Sequence, residues 1–511
     1  MSQARLSVIT PLYNPVFREL KDCLQSAQGP EIEHILTLDG RDNVSDLPRL
    51  KRIVKRFGAT LIVSQERLGI SEASNLAAAS ATGEFLLFLD QDDYLEEEWW
   101  KPLRATMQDA DFVYSDSFHS DASGNVTSLQ RKPSWSPVRL IFLMYATHFM
   151  AVRKSVFDLV GGFRSGFDGS QDHDLALRVS KVTQRFRHIP IPLYTWRKSA
   201  SSALTNPLNK SWAYDAGAAA AKDFLNEIDP EASVEKITDF HPGGMRARFS
   251  KRREPVSVVV PTAFGSDHSK KTWLESLISS LTPFLSHKLG DEIIVVHGSE
   301  LDLGLVERMR KKFGIEISSV SDEEDFNFSR RVNIGFVLAK NKHVLLVNDD
   351  LKFGSENPLD TLFGLLSLPN VGLVGGLLSY PDFSIQHAGH SFVKGVPVHV
   401  GVEAKSFELG VFDLIVDREV VGVTGALMFQ LKSTWQSVGG FTASLPLSFN
   451  DVDYCQKIRS LGFSVIQANS VKAIHHESVT REAISELWEI DFIEKRWSDT
   501  MSNDGFSSPY R

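Results

Sequence analysis

Short apolar runs alternate with amphipathic segments along the first hundred residues. The segments between the runs place apolar residues at helical spacing, with Leu20, Cys23 and Leu24 sharing one face of the first of them. Strands that alternate with helices in this way predict βαβ units and a parallel sheet. The predicted strands are Leu6–Tyr13, Ile32–Leu38, Thr60–Ser64 and Phe85–Asp90, and the predicted helices are Val16–Ala27, Leu47–Phe57 and Ser71–Ala81.

The fourth predicted strand ends directly on a group of acids. An unbroken apolar run, Phe85 to Leu89, is followed by Asp90, Asp92 and Asp93, which predicts a strand buried on both faces with carboxylates at its C-terminal end. Open α/β sheets bind ligands at that edge, and crowded carboxylates repel one another unless a cation or a proton relieves them. The stretch therefore predicts a divalent-metal site that faces a nucleotide or phosphate, with a solvated acidic turn as the alternative.

The same order of elements begins again at residue 256. Val256–Thr262 repeats the opening strand with its proline, Glu292–Val296 repeats the second strand, and His343–Asp350 repeats the acid-ended strand. The turn Val160-Gly-Gly-Phe163 likewise returns as Val438-Gly-Gly-Phe441. A repeat period of roughly 250 residues indicates a duplicated domain rather than a solenoid.

The chain length and the repeat together predict the domain organisation. With 511 residues the chain is too long for one ordinary core. We predict an N-terminal domain over residues 1–205, a spacer over 206–254, a C-terminal domain over 255–481, and a C-terminal helix and tail over 482–511. The spacer is predicted to contain an Ala-rich helix, 209–228, and two short strands. It ends in a basic cluster that is either a solvated face or a contact for anionic lipid or polymer.

Composition narrows the class of protein. The net charge of -9 argues against general nucleic-acid binding, and 42% apolar with 23% charged residues is typical of a globular protein. Two cysteines, Cys23 and Cys455, support neither a disulfide framework nor a cysteine-based zinc site. The run Leu140–Val152 is too short to span a bilayer. We expect a cytoplasmic protein without a signal peptide, whose contact with the inner face of the membrane would be peripheral; the oligomeric state is left open.

A second acidic element follows the Gly-Gly-Phe turn in each copy. Asp172 and Asp451 each stand just before a helical pattern, so each lies near a helix N-terminus. There a carboxylate either caps the helix or acts as a general base, and the recurrence behind the same turn favours the base. In copy two, His475 and His476 follow a predicted strand, 465–473, where imidazole could bind a divalent ion already held by carboxylates.

These motifs, in duplicate and in order, resemble the nucleotide-sugar-dependent glycosyltransferases of family 2. The matching motifs are Val8–Asn14, Asp39-Gly40, Gly69–Asn75, Asp90–Asp93, Val438–Phe441, Phe449–Cys455 and His475–Ser478. The resemblance is strongest to tandem bacterial enzymes of O-antigen, rhamnan and similar surface-polysaccharide assembly. It implies an α/β fold class of two tandem GT-A domains, each Rossmann-like with a mostly parallel sheet.

The resemblance also implies roles for individual residues. Asp39 would contact the base or ribose of the donor, and Asp90, Asn348 and Asp349 would belong to the nucleotide-sugar site. The metal, Mn²⁺ or Mg²⁺, would be held by Asp92 and Asp93 in copy one and by Asp350 with His475 or His476 in copy two. Asp172 and Asp451 would be the bases.

The implied reaction is metal-dependent inverting transfer from a UDP-, dTDP- or GDP-linked sugar to a lipid-linked or oligosaccharide acceptor, extending a cell-surface glycan. Each domain would carry one site. One alternative is that only one domain is catalytic and the other is a glycan-binding scaffold. Another is a nucleotidyltransferase, although the Gly-rich basic loop that it would need after the first strand is missing at Tyr13–Phe17 and Ala263–Ser266.

Three further positions stay open. Copy one has Thr195 and Ser199 where relatives often carry histidine, and copy two has His297-Gly298 where an aspartate is usual. His387, in the stretch Gln386–Gly389, is either a substrate contact or a packed loop residue.

Overall fold

The computed structural model describes residues 5–198, 211–237, 243–263, 272–298, 303–404, 414–476, 487–502 and 504–506. The chain divides into two compact units. Unit 1 comprises Met1–Glu227 and Val234–Met245, and unit 2 comprises Ile228–Ser233 and Arg246–Ser507. The helix predicted in the spacer belongs to unit 1. The predicted domain boundaries stay a prediction.

Unit 1 alternates strands and helices as the apolar pattern predicts. Helix α1 buries Leu20, Cys23 and Leu24, and α2 begins where the Asp46 side chain accepts a hydrogen bond from the Arg49 amide at 2.8 Å. The strands are β1 Leu6–Leu12, β2 Ile32–Leu38, β3 Thr60–Val63, β4 Phe85–Phe88, β5 Tyr94–Leu95, β6 Phe112–Ser120, β7 Val126–Gln130, β8 Met150–Arg153 and β9 Phe186–Arg197. The helices are α1 Phe17–Ser26, α2 Leu47–Arg56, α3 Ile70–Ser80, α4 Trp100–Thr106, α5 Pro137–Phe142, α6 Lys154–Leu159, α7 Gln171–Val182 and α8 Ser211–Leu225.

The strands of unit 1 form one large sheet in the order β3-β2-β1-β4-β8-β6-β9-β5. The first four strands of this order are parallel to one another, and β8 joins β4 in the antiparallel sense, with Phe88 opposite Met150. The acid-bearing loop after β4 therefore lies beside the chain that enters β8.

Unit 2 contains the elements of the second copy. The strands are β12 Val256–Pro261, β13 Glu292–His297, β14 Glu316–Ser321, β15 His343–Val347, β16 Leu351–Phe353, β17 Val371–Ser379, β18 Ile385–His387, β19 His390–Val393, β20 Val396–His399, β21 Arg418–Val420, β22 Leu427–Leu431 and β23 Ser464–His475. The helices are α9 Trp273–Leu281, α10 Leu303–Phe313, α11 Phe328–Leu338, α12 Pro358–Leu366, α13 Lys432–Ser437, α14 Asn450–Ser460 and α15 Leu487–Met501. The spacer strands are β10 Ser233–Lys236 and β11 Met245–Arg248.

The large sheet of unit 2 repeats the topology of unit 1. Its order is β14-β13-β12-β15-β22-β17-β23-β16, which is the unit 1 order element for element. The predicted fold class, two tandem α/β units with Rossmann-like and mostly parallel sheets, is confirmed.

The repeat extends to individual hydrogen bonds. In α3, the Asn75 side-chain amide donates to the Phe163 carbonyl and accepts from the Phe163 amide, at 2.8 and 2.9 Å. In α11, Asn333 makes the same two bonds to Phe441, at 2.8 and 2.9 Å. A Cβ on Gly162, which has φ of 67°, would lie 2.7 Å from the Asn75 oxygen. This clamp explains why the Gly-Gly-Phe turn recurs.

Several predicted element ends differ from the structure. Strands β4 and β15 end at Phe88 and Val347, so the acids lie on the loops that follow them. Strand β23 is longer than predicted and includes His475. Helix α15 begins at Leu487 and runs past Arg496, whereas residues 482–486 of the predicted helix lie outside the described residues.

Two predictions from composition concern single side chains. Cys23 and Cys455 are both buried in helices, and each has a free thiol. In the basic cluster, Arg252 is buried and pairs with Asp291, so it belongs to neither a solvated face nor a lipid contact.

In the described part of the chain, no helix is long and apolar enough to cross a membrane.

Candidate active sites

In unit 2 a single short turn joins the acid-bearing loop to the candidate base. The Asn348 amide donates to the Ala426 carbonyl at 3.0 Å. The Gly425 amide donates to Asp451 Oδ2 at 3.1 Å, and the Val452 amide donates to Asp451 Oδ1 at 2.8 Å. The candidate base is thus fixed at the first turn of α14, beside the loop after β15. The sequence predicted both acidic elements but not the Gly425-Ala426 turn between them.

The predicted metal residues of unit 2 fit a divalent cation. His475 Nε2 lies 3.0 Å from Asp350 Oδ1, and His475 Nδ1 lies 2.7 Å from Gln386 Oε1. The contact with Gln386 orients the ring so that Nε2 faces Asp350, and a second partner of this kind is the usual support for a metal-binding histidine. Asn348 Oδ1 is shielded from solvent and has no hydrogen-bond partner among the described residues.

Burial and His475 act oppositely on the Asp350 carboxyl. Burial alone would raise its pKa, but the hydrogen bond and charge of His475 outweigh burial and hold the pKa below its ordinary value. Asp350 is therefore an anion that already has a histidine beside it.

The other two predicted ligand-site residues of unit 2 have different surroundings. Asp349 accepts a short hydrogen bond from the Thr262 hydroxyl, at the end of β12. The His476 ring packs on Trp273 with a centroid distance of 4.7 Å, and its amide donates to the Asp350 carbonyl at 3.1 Å. Of the two histidines, His475 is the one whose ring faces Asp350.

In unit 1 the candidate base Asp172 lies at the first turn of α7, next to Thr147 and His148. The His173 amide donates to Asp172 Oδ1 at 2.8 Å, and the Thr147 hydroxyl also bonds to Asp172. Thr147 Oγ1 is 3.0 Å from His148 Nδ1. Burial raises the pKa of Asp172, although the positive charge of His148 and these hydrogen bonds oppose the rise. His148 was not predicted, because it belongs to no motif.

The acids after β4 are unequal. Asp90 and Asp92 are half-buried, whereas Asp93 is buried. The Tyr194 hydroxyl donates to Asp93 Oδ2 at 2.6 Å and the Arg197 amide donates to Oδ1 at 2.8 Å. Burial and the charges of Asp90 and Asp92 raise the pKa of Asp93 well above its ordinary value. Both Asp93 oxygens are therefore engaged within the protein, and the metal role of Asp92 and Asp93 stays a prediction.

The position of the late histidine can be compared directly in the two units. His475 stands opposite Leu351 in the pairing of β16 with β23. Thr195 stands opposite Tyr94 in the matching pairing of β5 with β9. The substitution noted in the sequence thus falls at an equivalent place in the fold. Ser199 lies outside the described residues.

Asp39 directly follows β2 and is buried. Its carboxylate accepts hydrogen bonds from the backbone amides of Leu68 and Gly69, the latter at 3.2 Å. The loop that opens α3 is thereby tied to the carboxyl end of β2. Whether Asp39 also contacts a nucleotide stays a prediction.

Three unpredicted side chains surround the same edge of unit 1. Gln91 donates to the Tyr13 carbonyl at 2.8 Å and accepts from the Tyr13 amide at 3.0 Å. The exposed Arg67 guanidinium lies 4.8 Å from the centroid of the Tyr13 ring. An exposed ring and a cation at the carboxyl ends of the strands are suited to a base and a diphosphate.

Unit 2 replaces this arrangement with a buried cation. Gly298 follows β13 where Asp39 follows β2, and a Cβ there would lie 3.1 Å from the Arg331 guanidinium. Arg331 pairs with Asp322 at 3.1 Å and donates to the Thr262 carbonyl at 2.7 Å. Where unit 1 has the carboxylate of Asp39, unit 2 therefore has a glycine and, beside it, a buried arginine that pairs with Asp322. Arg331 lies inside α11 and belongs to no motif, so its role could not be predicted from the sequence.

Part of the chain matches a known protein family. Residues 7–170 match the model of glycosyl transferase family 2, so the N-terminal part of the chain contains a family 2 glycosyltransferase domain. The full chain is similar to y4gI, an uncharacterized protein of Sinorhizobium fredii, at 28% identity over 96% of this chain and 56% of that protein. It is also similar to the O-antigen biosynthesis protein RfbC of Myxococcus xanthus, at 26% identity over 94% of this chain and 38% of that protein.

The chain thus spans between about a third and somewhat more than half of the length of these two relatives. Among solved structures, S. aureus TarS is similar over 44% of this chain and 70% of that chain, with 18% identity and a TM-score of 0.34.

Proposed function

We propose that the protein is a metal-dependent, inverting glycosyltransferase that adds sugars from nucleotide donors to a growing cell-surface glycan. The observation that carries this proposal is the connection in unit 2 between the metal element and the base. The backbone of Gly425-Ala426 bonds to Asn348 on one side and to Asp451 on the other. A donor diphosphate and an acceptor hydroxyl could thus be held within one small site.

In this reaction the Asp451 carboxylate accepts the proton of the acceptor hydroxyl. The oxygen then forms a bond to the anomeric carbon while the bond from that carbon to the diphosphate oxygen breaks, and the nucleoside diphosphate leaves with the electron pair. Attack on the face opposite the leaving group inverts the anomeric configuration. Asp451 suits the role because its two oxygens are oriented by backbone amides before any substrate binds.

Asn348, Asp350 and His475 would hold a Mn²⁺ or Mg²⁺ ion in unit 2, and Asp92 with Asp93, beside Asp90, would do so in unit 1. When bound, such an ion neutralises charge that develops on the departing diphosphate. The acidic loops and the match of residues 7–170 to glycosyl transferase family 2 support this assignment.

Both units retain a candidate base, which supports one site per unit. Asp172 has Thr147 and His148 as neighbours, and Asp451 has Gly425. The second possibility, a single catalytic unit with a glycan-binding partner unit, is favoured by one observation: Thr195 occupies the place of His475. If one unit is inactive in transfer, we therefore expect it to be unit 1.

The nucleotide pockets should differ between the units. Unit 1 offers Asp39, exposed Tyr13 and Arg67, whereas unit 2 offers Gly298 with the buried Arg331–Asp322 pair. Because the charged groups near the two nucleotide pockets differ, we expect the two units to use different sugar donors. The relative named for O-antigen biosynthesis supports a lipid-linked or oligosaccharide acceptor, and we propose that the enzyme works in the cytoplasm, with any membrane contact being peripheral.

The test is a thermal-shift screen with UDP, dTDP, GDP and CDP, each with Mn²⁺. A ligand that binds only the native state at 100 times its Kd stabilises that state by about 2.7 kcal/mol. We expect at least one nucleoside diphosphate to raise a melting transition, and its sugar conjugate to be consumed in the presence of a glycan acceptor. If none of the four raises either transition, the donor-binding proposal is wrong.

A further inference from the structure

Three histidines of unit 2 converge outside the diphosphate site. His387 ends β18, His390 begins β19 and His399 ends β20. His390 and His399 face each other directly across the antiparallel pair β19–β20. The turn at Gly389, with φ of 99°, brings His387 alongside them. One nitrogen from each ring lies within 4.8 Å of one nitrogen from each of the others.

The geometry within the cluster is close to that of a bound ion. His387 Nδ1 and His399 Nδ1 are 3.2 Å apart. Two nitrogens that bind one tetrahedral Zn²⁺ at about 2.0–2.1 Å are separated by roughly 3.3 Å. The three ring centroids are 4.7 to 4.9 Å apart, so a small change in the exposed His399 side chain would complete the set.

Burial separates this cluster from ordinary surface histidines. His387 is 1% exposed and His390 is 4% exposed, while His399 is open to solvent. His390 Nδ1 has no hydrogen-bond partner among the described residues. A histidine packed only for stability normally satisfies both ring nitrogens, whereas a buried nitrogen without a partner, beside two other imidazoles, suits a ligand.

We propose that His387, His390 and His399 form a binding site for a transition-metal ion of the Zn²⁺ class. Neutral imidazole nitrogens prefer Zn²⁺, Co²⁺ or Ni²⁺, whereas the carboxylates and amide oxygen near Asp350 suit Mg²⁺ or Mn²⁺. The open side at His399 gives an ion access from solvent. This site is additional to the diphosphate-metal site of the proposed function.

Binding at this site would act on the candidate base through one turn of chain. The Thr424 amide donates to His387 Nε2 at 3.1 Å, which leaves the ring proton on Nδ1, facing His399. Binding of an ion at Nδ1 requires that proton to move to Nε2, so the bond from Thr424 breaks. Because the next residue, Gly425, donates to Asp451, an ion at the histidines should inhibit transfer by unit 2. This consequence, unlike the site itself, rests on the proposed function.

The experiment is a calorimetric titration of the chelator-treated full chain with Zn²⁺ in excess Mg²⁺, which competes for the oxygen-rich site. We expect one Zn²⁺ per chain to bind although Mg²⁺ is in excess. Co²⁺ bound at the same site should give the visible absorption of a tetrahedral complex. His399→Ala should weaken Zn²⁺ binding at least tenfold, and His399→Cys, which restores a zinc ligand, should recover most of it. The exposed His287→Ala is the matched control.

One further variant and the transfer activity of His399→Ala separate the possible outcomes. His475→Ala should retain Zn²⁺ binding, because it alters only the diphosphate-metal site. Absence of Zn²⁺ binding by the wild-type chain, or unchanged affinity in His399→Ala, would overturn the proposed site. His399→Ala should still transfer sugar in Mg²⁺, and Zn²⁺ should inhibit the wild type more strongly than this variant. Loss of transfer in all proteins would instead contradict the proposed function and leave the binding result standing.

Discussion

Trp497 Nε1 donates a hydrogen bond to Asp453 Oδ1 at 2.9 Å. Asp453 is fully buried, two residues after the candidate base Asp451. It also accepts from the Thr442 hydroxyl at 2.6 Å and lies 3.2 Å from the Arg496 guanidinium. Helix α15 therefore holds the first turn of α14, the turn that carries the base.

Trp497→Phe removes the indole N–H that donates this hydrogen bond and keeps an aromatic ring at the position. A hydrogen bond to a charged group contributes about 1.5–3 kcal/mol, and Asp453 retains its other partners, so unit 2 should fold with a lower melting transition. The looser first turn of α14 should lower kcat of Asp451-dependent transfer while KM for the donor changes little. Steady-state kinetics and thermal melts check both. Trp488→Phe, a half-exposed position on the same helix, should change neither.

A comparable support exists in unit 1, from different residues. Asp174, two residues after Asp172, pairs with Arg164 and Arg178, and Arg164 also pairs with Asp223 of α8. The helix that follows each sheet therefore braces the helix of the base in both units.

Local sequence was sufficient to predict the parallel strands β1 to β4 of unit 1 and their counterparts β12, β13 and β15 in unit 2. Strand β1 and helix α1 follow directly from apolar periodicity, and the repeat of Pro11 at Pro261 exposes the duplication. The acids could be predicted because a run of buried residues must end where polar residues begin. The ends of the elements were harder to predict. The apolar pattern extended the strand to Asp350, whereas β15 ends at Val347 and the acids lie on the loop that follows.

The remaining parts of the sites depend on contacts between distant segments. Gly425 touches Asp451 only because β22 pairs with β15, and Arg331 is distinctive only because Gly298 leaves it space. Neither residue carries a local pattern. The histidine cluster is similar: His387 and His399 are twelve residues apart, and the β19–β20 hairpin brings them together.

The candidate bases can be separated by matched substitutions. Asp451→Asn keeps the shape of the side chain and removes the proton acceptor, and general-base catalysis is worth about 10²–10⁴ in rate. We expect transfer by unit 2 to fall by that factor while the unit still folds, with its stability lowered by about 1–3 kcal/mol because Asn can accept only one of the two backbone hydrogen bonds that Asp451 accepts. We expect Asp172→Asn to lower transfer in the same way on unit 1 alone. Product analysis with each donor measures the two activities separately. Wild-type transfer in a chain that carries both substitutions would contradict both assignments.

The clamp on the Gly-Gly-Phe turn predicts equal effects in the two units. Asn333→Asp loses the bond donated to the Phe441 carbonyl and places a carboxylate against that oxygen, so the free energy of unfolding of unit 2 should fall by about 1–3 kcal/mol. Asn75→Asp should lower the stability of unit 1 similarly. Denaturant melts that resolve the two units test this. Ser80→Ala, at an exposed position near the end of α3, is the control, and an effect as large as that of Asn75→Asp would refute the clamp.

The Asp322–Arg331 pair predicts an acid-dependent difference in stability. Burial alone would raise the pKa of Asp322, but the hydrogen bonds and charges of Arg330 and Arg331 outweigh burial and lower it. With a depressed folded-state pKa, the stabilisation is fully present above the unfolded-state pKa of about 3.9 and is lost as pH falls through the folded-state pKa. Asp322→Asn leaves the buried Arg331 without its anion, which should cost about 3–5 kcal/mol at pH 7.

The difference in free energy of unfolding between wild type and Asp322→Asn should therefore be constant from about pH 7 to pH 5 and shrink below about pH 4. Urea unfolding of unit 2 at a series of pH values measures it. Glu324→Gln provides the control, because Glu324 is exposed and lies 3.9 Å from Arg330, so it should change stability by at most about 1 kcal/mol. A difference that grows as pH falls would mean that Asp322 is not the anion that stabilises Arg331.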